Sequence, residues 1–348
     1  MFLPVGSKPN SSDYPEGASI REQDWHILAG FWHPVAFEHD LGDEPQSVKL
    51  LDVDLVLYKT SDGITVARDR CPHRGVKVSL GRVIDDCLVC PMHGNRFDGQ
   101  GQCRMIPTLP DQSAPISSQM KLTIYRSEVR YGIVWTCLKP EPIWPLPVWP
   151  GIENPDYKKV FVPADVWHNS APRHVENFND QAHFPFVHLQ SFGSDEDLST
   201  HDYEVEETEY GLRFEYDYVE GGNRFPDGVD ADSRPVNYTY EMTFPFSTLI
   251  YVDPKGSDFV HYFADTASPI SATETRIFQV LTDTTGDPDR EYWLQDSIQI
   301  VEEDKPLVNS QPPAMPLETG PELHHIPADR WSIRYRQLLV ERFGLGQS

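Results

Sequence analysis

Through the first 140 residues, apolar positions come in short runs. The runs 48–58, 64–68 and 132–137 are rich in Val, Leu, Ile and aromatic residues, and Gly, Asp or Pro separates them. Short runs closed by turn residues are the pattern of strands, so this half predicts a small, mostly β domain. Residues 1–20 are polar and rich in Pro, Ser and Gly, which predicts a loosely packed extension. The stretch KPEPIWPLPVWPG (139–151) is too proline-dense for a helix or a sheet interior, so it predicts a linker. The expected division is an extension (1–20), a β domain (21–143) and a second domain (144–348).

The second half mixes two periods. Residues 238–244 alternate, placing Tyr238, Tyr240, Met242 and Phe244 on one strand face. Residues 330–343 have helical period. Trp331, Tyr335, Leu338 and Leu339 share a stripe, Asp329 is placed to cap the start and Gly344 to end it. A further helix is predicted over 290–307, with Trp293, Leu294, Ile298, Ile300 and Val301 as its apolar arc. The class is therefore α+β. No internal repeat is present.

Charge narrows the partners. Lys and Arg number 29 against 54 Asp and Glu, a net charge of −25. Phosphate recognition needs a basic surface, so nucleic acid and anionic membranes are excluded as partners. An acidic surface suits a basic redox partner. No stretch of about 20 apolar residues exists, and the N-terminus shows no signal-peptide pattern, so a cytoplasmic protein is expected. Five cysteines, three of them between residues 71 and 90, suit metal binding in a reducing compartment better than a disulfide framework.

Those cysteines bring in the chemistry. The text reads Cys71-Pro-His73-Arg-Gly and then Cys90-Pro-Met-His93-Gly. Two thiolates and two imidazoles can hold one tetrahedral Zn²⁺, or can divide between the two irons of a Rieske [2Fe-2S] cluster. Zinc fingers usually pair like with like, whereas here each half supplies one Cys and one His. Cys87 is a rival ligand without a C-x-H partner and is expected to be a buried thiol. Cys103 and Cys137 are expected in the core.

A second cluster follows in Glu176-Asn177-Phe-Asn-Asp180-Gln-Ala-His183-Phe-Pro185-Phe-Val-His188. Asp180 and His183, three apart, would share a helix face. A regular helix turns His188 about 140° away from His183, so Pro185 is expected to distort the chain and bring it back. On the 290–307 helix, Asp304 falls within the apolar arc, about 40° from its centre. Asp296, Glu302 and Glu303 fall about 120–140° away, toward solvent. An acid on an inward face is costly unless paired or metal-bound.

The two motifs together resemble those of Rieske non-heme iron oxygenases, with E-N-x-x-D-x-x-H-x-x-x-x-H as the second signature. The segment E-E-D-K-P-L-V-N-S-Q and the C-terminal E-L-H-H-I-P-A-D-R-W resemble the group of vanillate and dicamba O-demethylases, methylxanthine N-demethylases and saxitoxin-pathway hydroxylases. One departure stands out. The family's second loop commonly reads C-P-Y-H-G-W, and here Met92 and Asn95 replace the two aromatics.

The resemblance implies a small Rieske domain followed by a helix-grip catalytic domain. It implies Cys71, His73, Cys90 and His93 as cluster ligands and His183, His188 and Asp304 as ligands of a mononuclear Fe(2+). It further implies a head-to-tail homotrimer in which Asp180 bridges His183 to His93 of a neighbouring subunit, with Asn177 a weaker candidate nearby. The expected activity is monooxygenation of a small aromatic or heterocyclic substrate, by demethylation or hydroxylation. O₂ is the co-substrate, and electrons come from NAD(P)H through a reductase or ferredoxin. A cis-dihydroxylating dioxygenase, a stand-alone Rieske electron carrier and a zinc-stabilised binding protein are the alternatives.

Overall fold

The computed structural model describes residues 13–221, 233–314, 317 and 323–346. Three antiparallel sheets organise them. The first has six strands in the order His33–Phe37, Ile133–Cys137, Ile124–Arg130, Gly63–Arg68, Val53–Thr60 and Gln46–Leu50. A small four-stranded sheet, from Arg82–Ile84 to Cys103–Met105, stands beside it. The third has seven strands between Val160–Trp167 and Glu206–Glu207, and the helix Arg290–Ser310 packs on its Val160–Trp167 edge. This is the α+β arrangement the sequence predicts, with a long helix gripped against a large antiparallel sheet.

The run 48–58 is not one strand. It folds as a hairpin in which Leu50 pairs with Val53 across Leu51 and Asp52. Both turn residues have positive φ, 49° and 62°, the backbone of a two-residue type I′ turn. The sequence hides the turn because no Gly or Asn marks it and Leu51 is fully buried. Trp25 anchors it by donating from Nε1 to the Leu51 carbonyl at 2.7 Å.

The proline-rich stretch has no strand, as expected, but it is not a loose linker. Leu146 and Trp149 are buried among Phe37, Trp135, Leu249 and Phe278, drawn from both large sheets. Trp149 N–H donates to the Tyr131 hydroxyl, which donates to the Pro147 carbonyl. Proline removes donors the segment could not satisfy in a sheet, and its apolar side chains then fill the seam between the two halves. The extension packs as well where it is described. Ile20 is buried and Ser19 binds the Asp52 carboxylate, while residues 1–12 lie outside the described residues.

The C-terminal helix Arg330–Phe343 buries Trp331, Tyr335, Leu338 and Leu339 and ends at Gly344, whose φ is 76°. Asp329 sits before it but does not cap it. Its carboxylate turns back to the Ile326 N–H. Arg336 from this helix clamps the buried Glu176 with two guanidinium nitrogens, so the first residue of the 176–188 motif is a structural tie.

Candidate metal centres

The loops 71–75 and 90–94 are built alike. In each, the Cys N–H donates to the carbonyl five residues on (Val76, 2.8 Å; Asn95, 2.9 Å). The Gly N–H returns to the Cys carbonyl (Gly75, 2.8 Å; Gly94, 3.0 Å). Both glycines lie at positive φ, 75° and 71°, where a Cβ would strain the turn. The unlike spacings C-x-H and C-x₂-H therefore sit in two copies of one C-x₃-G loop.

Cys71 and Cys90 are buried, His93 is half-buried and His73 is exposed. Burial, and then the neighbouring Cys90, push the Cys71 thiol up to about 11. The two imidazoles lie edge to face, with centroids 4.7 Å apart and planes 64° apart. The donors are thus grouped by kind, thiol with thiol and imidazole with imidazole. One zinc would draw all four to a point. Among the described residues, however, the only set of three such donors within 4.8 Å is His183, His188 and Asp304. Two thiols on one side and two imidazoles on the other fit a two-iron cluster. The buried His93 Nδ1, without a hydrogen-bond partner, fits it too. Of the remaining thiols, Cys103 and Cys137 are buried as expected. Cys87 is only half-buried, because it follows the exposed Asp85–Asp86 turn. Met92 is 54% exposed at the loop tip, while Asn95 is buried beneath it.

The second centre needs tertiary structure. The helix Ala171–Phe178 ends before Asp180, so Asp180 and His183 share a turn, not a helix face. Asp180 accepts from Ala182 N–H through one oxygen and meets His183 Nδ1 at 2.9 Å with the other. His183 opens the one-turn helix Phe184–Val187, with Pro185 in its first turn, and His188 closes it. This brings His183 Nε2 and His188 Nε2 to 3.1 Å. Gly193 N–H secures the His188 carbonyl, and a Cβ there would lie 2.5 Å from the Phe184 oxygen.

Asp304 Oδ1 completes the triangle, 3.5 Å from His183 Nε2 and 3.4 Å from His188 Nε2. It is buried without a hydrogen-bond partner. Burial raises the Asp304 pKa, against the opposing pull of His183 and of Asn177, whose side chain lies beside it. Burial also disfavours charge on His183, but Asp180 and Asp304 together outweigh it and the net shift is upward. Each ring directs Nδ1 at an outer carboxylate, so both Nε2 lone pairs point inward at an orphaned carboxylate oxygen. This donor set, two imidazoles and one carboxylate, suits ferrous iron with open positions.

Glu303 departs from expectation. Predicted to face solvent, its side chain is only 11% exposed and meets His188 Nδ1 at 2.8 Å. The helical wheel misplaced it because segment 188–191 lies along that flank of the helix, with Gln299 donating to the Gln190 carbonyl. No local signal marks such a contact.

A cavity opens over the triad, walled by Phe178, Phe192, Ile250 and Phe263 and bordered by His261 and Asn177. Tyr238 and Tyr240, from the predicted strand face, line it. Met242 and Phe244 pack in the core instead.

Two family models match the chain. One is the Rieske [2Fe-2S] domain, over residues 31–125, and the other the vanillate O-demethylase oxygenase C-terminal domain, over 167–342. The chain belongs to the Rieske oxygenase family. It is accordingly an iron-dependent oxidoreductase, with a Rieske cluster and a mononuclear iron as cofactors and O₂ as co-substrate. Among its relatives is the methylxanthine N3-demethylase NdmB of Pseudomonas putida, 30% identical over 90% of this chain and 89% of the relative. The structure of NdmA from Pseudomonas putida CBB5 with caffeine superposes with a TM-score of 0.79 at 27% identity, covering 92% of both chains. Dicamba monooxygenase bound to 3,6-dichlorosalicylic acid shares the fold, with a TM-score of 0.71 at 20% identity over 90% of this chain and 99% of that one. The family match sets aside the zinc-stabilised binding protein.

Proposed function

We propose that this Rieske oxygenase is the oxygenase component of a monooxygenase that removes methyl groups from small, planar aromatic or heterocyclic substrates. The observation that carries the proposal is the aromatic-walled cavity above three inward-facing donors, His183, His188 and Asp304. Likeness to N-demethylases over nine-tenths of the chain supports the same substrate class. Flat apolar walls favour a ring by stacking, and the few polar groups, His261 and Asn177 among them, orient it.

In this reading Cys71, His73, Cys90 and His93 hold the cluster, within a domain running from 21 to 143. His183, His188 and Asp304 hold the iron, within 144–348. Bound by these residues, the cluster would supply one-electron transfer from NAD(P)H by way of a separate reductase, directly or through a ferredoxin, and the iron would supply O₂ activation; overall, one oxygen atom would go into the methyl group, released as formaldehyde, and the other would be reduced to water. Asp180 orients His183 through Nδ1. Its side chain is one-third exposed, which leaves it within reach of another subunit's His93. Exposed apolar residues flank both centres, with Leu80 and Met92 by the cluster loops and Phe186 and Leu189 by the iron ligands. Their burial against each other in a head-to-tail homotrimer would remove that surface from water.

The test is a screen of methoxylated and N-methylated aromatics with a surrogate reductase. Formaldehyde release with one atom of labelled O₂ incorporated is the expected result. Cis-diol products carrying two labelled atoms would instead identify a dioxygenase, and a colourless, iron-free preparation would overturn the whole reading. Replacing Phe186 and Leu189 with Asp should leave both metals bound while yielding monomers that do not turn over.

A further inference from the structure

The two iron-site histidines are held differently. His183 leans on Asp180, whose side chain is 33% exposed and sits on a turn. His188 is 2% exposed and clamped on several sides. Its Nε2 faces Asp304 at 3.4 Å, its Nδ1 meets Glu303 Oε2 at 2.8 Å, and its ring stacks on Phe192 at 4.6 Å. Of two consecutive carboxylates on one helix, Glu303 thus holds the outer nitrogen of the ring, while Asp304 stands across from the inner one without bonding it. Glu303 is itself fixed, because the same Oε2 accepts from Ser191 Oγ at 2.7 Å and Oε1 lies 3.4 Å from Gln299 Nε2.

We infer that Glu303 is the positioning residue for iron affinity, holding His188 in the tautomer and orientation that present Nε2 to the metal, while Asp180 serves coupling. A carboxylate on the far nitrogen of a ligating histidine fixes the ring and makes it a better donor. Glu303 suits that task because it is shielded from solvent and shares its oxygen only with Ser191 of the adjoining loop. Asp180 holds His183 in the same way but is one-third exposed, so water screens its charge more and its effect on iron affinity is smaller. This assignment rests on the proposed ligand set, and it adds a residue that touches neither iron nor substrate.

The test measures Fe(II) affinity by competition with a chromophoric chelator, on full-length protein stripped of mononuclear iron but retaining its cluster. The cluster's visible spectrum reports that the fold survives. Glu303→Gln keeps the acceptor and loses the charge, so about a 10-fold weaker affinity is expected; Glu303→Ala should lose about 100-fold. Ser191→Ala should lose less than either, and Asp180→Asn should bind more tightly than Glu303→Gln. Affinity within twofold of the parent in both Glu303 variants would overturn the inference. His188→Ala separates the failures. If it too binds iron normally, the ligand assignment is wrong; if it alone loses iron, only the role of Glu303 is.

Discussion

The two metal-binding regions solve one problem by different means. The cluster loops are local. Their four donors fall within 23 residues of chain, and each loop is closed by its own backbone hydrogen bonds. The proposed iron donors come from segments 116 or more residues apart, and side-chain carboxylates aim the two rings. Exposure differs in the same sense, since His73 is open to solvent while His188 is buried. A group that exchanges electrons with another protein must be reachable, whereas a group that handles oxygen and substrate works best away from water. Backbone hydrogen bonds thus suffice to shape two short loops whose thiols are buried and whose imidazoles reach toward the surface. A dry site needs a second ring of polar residues, because its donors have no water to satisfy them.

The largest effects should break the two regions independently. Asp304→Ala is expected to lose the mononuclear iron and all turnover while keeping the cluster's visible spectrum. Cys90→Ser should do the reverse, and metal analysis with absorption spectra decides both. If either change removed both metals, the two centres would not be independent units. The seam between them comes next. Trp149→Ala should cost about 3–5 kcal/mol in denaturant unfolding, as for other large core truncations. Because Trp149 packs against both sheets, a single transition should shift as a whole. A split into two transitions would mean that the halves fold separately.

Asp180→Asn tests communication between the two centres. Turnover should fall about 100-fold with both metals retained. Unchanged turnover would remove Asp180 from the route.

The smallest expected effect contrasts the half-buried His183 with the fully buried His33. The pKa of His183 is raised because Asp180 and Asp304 outweigh its burial, whereas that of His33, in the six-stranded sheet, is lowered by burial from 6.5 to about 4. Its Nε2 meets the Leu28 carbonyl at 2.9 Å. Below pH 6.5 the unfolded chain takes up a proton that the folded chain refuses until about pH 4, so this contribution is complete above 6.5 and is lost as pH falls. Between pH 7 and pH 5 it amounts to about 2 kcal/mol. His33→Gln should flatten the pH dependence of the unfolding midpoint by that amount relative to the parent. An unchanged slope would mean that His33 is protonated in the fold.

The α+β class was legible in the amino-acid sequence, and the candidate ligands of the 71–75 and 90–94 loops and of the 176–188 motif could be named there, because each pattern is short-range. Ligand spacing, glycines at loop ends and a two- or 3.6-residue period all act within a few residues of chain. Asp304 could be singled out because one helix face was apolar enough to make an acid there costly. The same wheel sent Glu303 to solvent, since it assumes that water covers whatever the helix's own apolar face does not. The Leu51–Asp52 turn was missed for a related reason. Buried Leu51 continues the hydrophobic run, and only pairing of Leu50 with Val53 makes it a corner.

By itself, then, the sequence determined which residues could bind metal and in what local frames. Tertiary structure decided how they meet: the 3.1 Å approach of two histidines around Pro185, the carboxylate that grips His188, and the proline-rich segment that fills the seam instead of spanning it. The physical reason is range. Backbone geometry and periodicity are set by neighbours along the chain, but whether a polar atom is buried, and what satisfies it, depends on segments that only the folded state brings together.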